Sequence, residues 1–161
     1  MGEVITVGIA DLKVSGDPEA EIVTYALGSC IGVALWDEEA RVGGILHFML
    51  PDSKMNREKA RTTPALFADT GLPLLFREAY HLGAEKSRIV VRLVGGANIL
   101  NDNSLFNIGE RNHRAATHIL TGNSVRILAE SVGGNESLSM RLHVGSGAVS
   151  VVTGAGESRA L

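Results

Sequence analysis

The run Glu21-Ile22-Val23-Thr24-Tyr25-Ala26-Leu27, broken by Gly28-Ser29, then Cys30-Ile31-Gly32-Val33-Ala34-Leu35-Trp36, a charged Asp37-Glu38-Glu39-Ala40-Arg41, and Val42-Gly43-Gly44-Ile45-Leu46-His47-Phe48-Met49-Leu50 before Pro51 decides the fold. Three β-rich segments lie close together, separated by turn chemistry. That spacing predicts three strands, 21–27, 30–36 and 42–50. The second and third are near-continuous apolar runs, as strands covered on both faces are. If the charged segment closes a hairpin with Trp36 opposite Val42, Cys30 falls opposite Phe48 or, with a slip of one residue, opposite His47 itself.

Outward from this block, Val4 to Ile9 reads as an opening strand and Lys13 to Glu19 as a loop. Asp52 to Thr63 reads as a polar loop, and Pro64 starts a helix over 65–82 that Gly83 caps. Gly71-Leu72-Pro73 sits badly inside that helix and predicts a kink or a split. Arg88 to Val94 reads as a strand ending at Gly95-Gly96, Asn98 to Asn107 as a loop, Ile108 to Thr121 as a helix and Val125 to Glu130 as a strand. After the Gly133-Gly134-Asn135 turn, 138–144 and 149–153 form a hairpin around Gly145-Ser146-Gly147. The tally is about seven strands and two main helices. With no repeat or linker, residues 1–161 read as a single α+β domain.

Composition narrows the function classes. The chain has 161 residues, a formal charge of −3, 45% hydrophobic and 20% charged residues. Its basic residues are scattered, so no nucleic acid is expected as a partner, since that needs a basic face. Nothing approaches the roughly 20 apolar residues of a membrane span, so no membrane insertion is expected. The single cysteine excludes an internal disulfide and fits a cytoplasmic, reducing setting. His113 and His118 are five apart on a helix and do not share a face, and His81 and His143 are isolated, so no metal is expected. Gly95-Gly96-Ala97-Asn98 lacks the lysine and hydroxyl of a phosphate loop, and no cofactor is called for. It reads better as a turn packed against a site.

The chemistry concentrates on Cys30 and His47. Gly28-Ser29 allows a sharp turn that exposes the next side chain and gathers backbone N–H groups at one point, as a thiol nucleophile with an oxyanion site needs. Gly28 and Ser29 are therefore the candidate oxyanion residues. An imidazole opposite the sulfur can take its proton, and the imidazolium so formed would favour thiolate at neutral pH. Thr24 and Asp52 are the two acceptors near enough in sequence to orient the ring, and spacing does not choose between them. A small buried cysteine and a core histidine bonded to backbone are the bland alternative.

The motifs Thr24-Tyr25-Ala26-Leu27-Gly28-Ser29-Cys30, His47-Phe48-Met49-Leu50-Pro51-Asp52, Gly95-Gly96-Ala97, Asn107-Ile108-Gly109-Glu110-Arg111-Asn112 and Gly133-Gly134-Asn135 resemble, in order and spacing over about residues 4–150, the CheD family of bacterial chemoreceptor glutamine deamidases. The resemblance implies Cys30 as nucleophile, His47 as general base and Thr24 as third member. It implies a four-layer α/β/β/α sandwich of mixed sheets, similar to toxin-type cysteine deamidases. It implies as substrate a glutamine on the cytoplasmic helices of a methyl-accepting chemotaxis receptor, converted to glutamate through a thioester. In some relatives it also implies receptor methylesterase activity, and in many a CheC-type CheY phosphatase as partner. Glu136-Ser137-Leu138 stands where the family often carries basic residues. That departure motivates a second reading, an adaptor that binds receptors or such a phosphatase with little catalysis of its own.

Overall fold

The computed structural model describes residues 2–99 and 107–161. The expected loop over 98–107 lies largely outside the described residues. The chain runs β1 (Val4–Val7), β2 (Asp11–Ser15), β3 (Glu21–Leu27), β4 (Ile31–Asp37), β5 (Val42–Phe48), α1 (Arg57–Thr62), α2 (Ala68–His81), β6 (Val90–Gly95), α3 (Ile108–Gly122), β7 (Arg126–Val132), β8 (Leu138–His143), β9 (Val149–Thr153) and β10 (Ser158–Ala160). The strands make two mixed sheets. One has the order β1-β3-β8-β9-β10, the other β2-β5-β4-β6-β7. β1 is parallel to β3 and β6 to β7, and the other neighbours are antiparallel.

The sheets stack face to face. Ile22 and Leu27 of β3, Met140 and Leu142 of β8 and Val149 and Val151 of β9 meet Ala34, Ile45 and Val94 of the other sheet. The opposite face of the second sheet, with Ile31, Val33, Leu35, Leu46, Phe48, Val91 and Leu93, packs on α2 and α3 through Leu72, Leu75, Ala116 and Leu120. β4 and β5 are thus covered on both sides, as their unbroken apolar runs require. The α+β class and the two stacked mixed sheets match the expectation. Both long helices lie on one outer face. Among the described residues the other outer face carries no helix, and β8 explains why. Its Leu138, Met140 and Leu142 are buried while Ser139, Arg141 and His143 point outward. A polar outer face has no apolar surface to offer a helix.

Several local readings shift. Lys13, expected in a loop, lies in β2, the edge strand paired with β5. The polar 52–63 segment contains α1, started by Asn56, whose side chain accepts from the Lys59 amide. α2 runs unbroken through Pro73. The register of β4 and β5 pairs Asp37 with Val42 and Gly32 with His47. Trp36 therefore faces Gly43, one residue off the expectation. Asp37, read as part of an exposed turn, is fully buried. It accepts from Arg88 Nε at 3.0 Å and from the Glu85 amide at 2.8 Å, which hold its carboxyl below the usual range against the opposing effect of burial.

Candidate functional site

His47 is the one charged-type side chain on β5, and it points into the space between the sheets. On this face its cross-strand partner is Gly32, whose missing Cβ would lie 2.8 Å from Met140 Cε and 2.9 Å from Leu27 Cδ1. A side chain at 32 would have to displace the ends of Met140 and Leu27 of the first sheet. Cys30 is two residues before Gly32, so it shares this face with His47 as a diagonal neighbour. Diagonal pairs have Cα atoms roughly 7–8 Å apart, within reach of longer side chains. The sequence reading set Cys30 opposite Phe48 or, with a slip, opposite His47; the register places Ile31 opposite Phe48 and Gly32 opposite His47, so Cys30 faces neither directly.

Across the gap, Thr24 of β3 meets the imidazole. Its Oγ1 is 2.7 Å from His47 Nδ1 and donates to the Val7 carbonyl at 2.8 Å. A hydroxyl has one proton, and a carbonyl can only accept. The Thr24 proton is thus committed to Val7, so Nδ1 must carry a proton and donate to Oγ1. The neutral ring then holds its lone pair on Nε2, which is buried and takes no hydrogen bond among the described residues. Of the two orienting candidates, Thr24 makes the contact. Asp52 instead caps the following turn by accepting from the Lys54 amide.

Burial governs the electrostatics. His47 and Thr24 are fully buried and Cys30 is 8% exposed. Burial pushes the His47 imidazole down to about 4. It pushes the Cys30 thiol up, countered in part by the residue's own backbone N–H. Both shifts favour the neutral thiol and imidazole over the thiolate–imidazolium pair expected from the sequence, and Cys30 is buried rather than exposed. The cause is the low-dielectric space between the sheets. Two cavities lie elsewhere. One of about 350 Å³ sits between α2 and α3 by Leu72, Phe76 and Ile119, and an open groove of about 580 Å³ runs past Asp52, Arg111 and His118.

The turn before β4 is held from one side. β3 ends in a bulge in which Ala26 takes a φ of 58°, and the Gly28 amide donates back to the Ala26 carbonyl at 3.0 Å. The Gly28 amide is thereby spent, and of the two candidate oxyanion residues only Ser29 keeps its N–H for another acceptor. The Gly96 amide donates to the Cys30 carbonyl and the Ala97 amide to the Gly28 carbonyl, both at 2.8 Å. Gly95 and Gly96 have φ of 115° and 62°, and a side chain at Gly95 would overlap the Cys30 carbonyl. The Gly95-Gly96-Ala97 turn does pack against the site. The Gly133 amide in turn holds the Gly95 carbonyl, and the Gly134 carbonyl accepts from the Asn98 amide.

Asn112 escaped the sequence reading as a site residue. Its signal was present. Gly109, Asn112, Ala116 and Leu120 form the buried stripe of α3, and one amide stands in it. Its Nδ2 donates to the Ser29 carbonyl at 2.9 Å and to the Met49 carbonyl at 2.8 Å. Three of the other four histidines are engaged separately: His113 with Glu130 at 2.9 Å, His143 with Ser146 at 3.0 Å and His81 with Glu78 at 3.8 Å. Among the described residues no three His, Cys, Asp or Glu side chains gather to hold a metal ion, and no helix is long and apolar enough to cross a membrane.

Comparison with known proteins identifies the family of the chain. The family model described as CheD chemotactic sensory transduction matches residues 49–153. The probable chemoreceptor glutamine deamidase CheD 1 of Syntrophus aciditrophicus is 47% identical over 161 residues, covering 100% of both chains. The probable chemoreceptor glutamine deamidase CheD 2 of Anaeromyxobacter dehalogenans is 49% identical over 150 residues, 93% of this chain and 94% of its own. A crystal structure of a Neisseria meningitidis protein of the DUF152 family aligns with a TM-score of 0.50 at 9% identity, over 83% of this chain and 63% of that one, a likeness of fold alone. By its family model and its full-length relatives, the chain belongs to the CheD family of chemotactic sensory transduction proteins.

Proposed function

We propose that this chain hydrolyses glutamine side chains to glutamate on chemoreceptors, with Cys30 as nucleophile, His47 as general base and Thr24 as the residue that orients the base. The observation that carries the reading is the Thr24 hydrogen-bond pair. Because the hydroxyl proton goes to Val7, the imidazole presents an unprotonated Nε2 on the sheet face that also carries Cys30. A core histidine bonded to backbone would have both nitrogens satisfied.

In the proposed reaction, Nε2 takes the Cys30 proton as the sulfur attacks the glutamine amide carbon. The electron pair of the C=O moves to oxygen. Collapse of the tetrahedral intermediate expels the amide nitrogen, which receives the proton from His47 and leaves as ammonia. Water then attacks the thioester carbon while giving a proton to Nε2. The C–S bond breaks, the thiol is restored and glutamate remains. A neutral resting pair suits this sequence, since proton transfer then accompanies substrate entry. The substrate lies on the receptor's cytoplasmic helices, so the protein acts in the cytoplasm. A CheC-type phosphatase is a further partner in this proposal.

The test incubates the protein with a cytoplasmic receptor fragment and weighs its tryptic peptides. The expected gain is about one mass unit for each glutamine converted to glutamate, absent with Cys30→Ala, consistent with loss of a nucleophile. Equal conversion by both proteins, or none by the wild type on a cognate receptor, refutes the reading. In the second case, retained receptor binding would leave the adaptor role.

A further inference from the structure

We infer that Asn112 is a positioning residue that aims the oxyanion-binding amides of the Cys30 turn; the inference rests on the deamidase reading. All three carbonyls of Gly28-Ser29-Cys30 are bonded, to the Ala97 amide, to Asn112 Nδ2 and to the Gly96 amide. A trans peptide is planar, so its C=O and the next residue's N–H point in opposite directions. Fixing the Gly28 and Ser29 carbonyls toward the 96–97 loop and α3 therefore turns the Ser29 and Cys30 amides the other way. Among the described residues neither amide donates to a backbone carbonyl. These two N–H groups belong to Cys30 and the residue before it, the natural donors for the oxygen of an amide attacked by the sulfur.

Two of the three carbonyl locks are backbone bonds that every sequence could make. The middle one, on the peptide that carries the Cys30 amide, comes from a side chain. Asn112 is fully buried, and both of its Nδ2 protons go to carbonyl acceptors, which fixes which end of the amide faces the turn. Its second bond, to Met49, joins the same clamp to the chain two residues past His47. His47 has its own restraints, the Thr24 contact and the bond from the Ala10 amide to the His47 carbonyl at 2.9 Å. Loss of Asn112 should therefore disturb the oxyanion donors more than the base.

The experiment separates these roles by reaction type. Alkylation of Cys30 by iodoacetamide displaces iodide and develops no oxyanion, whereas deamidation does. For Asn112→Ala, kcat for glutamine conversion in a receptor fragment should fall about 100-fold with KM within about 2-fold, as loss of an oxyanion donor does. The alkylation rate and its pH profile should stay within about 2-fold of wild type, because the thiol and base are untouched. Asn112→Ser, whose hydroxyl can serve one carbonyl, should show a smaller loss of the same kind and serves if the alanine variant fails to fold. Unchanged kcat overturns the inference. So does an equal fall in kcat and alkylation, or failure of both variants to fold, since each makes Asn112 a structural residue. A wild type that alkylates but never converts glutamine refutes instead the reading on which the inference stands.

Discussion

The two cores of this molecule differ in kind. Between the second sheet and its helices, Leu46, Phe48, Leu72, Leu75, Leu93 and Leu120 bury hydrocarbon against hydrocarbon. Between the sheets, the same density of leucine, isoleucine and valine gives way at one end to Thr24, His47 and Cys30. The first core asks only for volume and shape. The second holds polar atoms whose partners can be counted one by one, and Nε2 takes none among the described residues. An unmatched buried acceptor costs about 1–3 kcal/mol. Asn112 Oδ1, on the helix side, is likewise buried without a partner among the described residues, so an orphan atom alone does not separate the cores. What does is a ring nitrogen able to take a proton on the face that carries Cys30.

That contrast can be broken in several ways. The largest effect on stability should come from the helix side. Leu75→Ala, at a fully buried position of α2, should lower unfolding free energy by about 2–5 kcal/mol in a urea titration. Glutamine conversion per folded molecule should not change. If it falls with stability, the cores are not independent.

The next effect is a dependence on pH. His47 is held near 4 in the fold and returns to 6.5 when unfolded. Between those values the unfolded chain binds the extra proton. Stability is therefore complete above about pH 6.5 and declines as the pH drops toward 4, by up to about 3 kcal/mol. His47→Gln, which does not titrate, should lack this part of the acid slope. An identical slope in both proteins would place the loss in the carboxylates.

Thr24→Val keeps the shape and removes the hydroxyl. It leaves Nδ1–H and the Val7 carbonyl unpaired, at a cost of about 1–3 kcal/mol. It also frees the ring to change tautomer, so kcat should drop by about 10–100-fold. Full activity would show that Thr24 is packing alone. The finest test is the alkylation profile. The buried thiol should react with a midpoint above the ordinary cysteine value, with the rate climbing through the alkaline range. A plateau already at neutral pH would restore the ion pair that the sequence suggested.

Much of this was legible because the central strands carry strong signals. Glu21–Leu27 has the bounds read from the sequence, and the apolar runs after Cys30 and Val42 declared their burial. The register was lost at Asp37. A charged residue beside two glutamates reads as turn, and partners far along the chain, the Glu85 amide and Arg88, make its burial tolerable. β2 and β10 carry little periodicity of their own and exist as edges paired to β5 and β9. α1 has no buried face for a pattern to show. In the candidate site, Cys30 and His47 could be named because residue type suggests chemistry, whereas Thr24 stood level with Asp52 until the family resemblance favoured it. Asn112 was passed over although it is the one amide in the buried stripe of α3, because its partners are backbone carbonyls that any sequence possesses.

The division of the site between two sheets also sets when it can form during synthesis. Cys30 and His47 lie in neighbouring hairpin strands, but Thr24 sits on β3, flanked on one side by β8 through the pairing of Thr24 with Met140. That neighbour leaves the ribosome more than a hundred residues after the threonine. Under the proposed reading, a nascent chain thus holds nucleophile and base without the strand that flanks their orienting hydroxyl. On that reading the growing protein should stay silent toward a receptor fragment until nearly all of it has emerged.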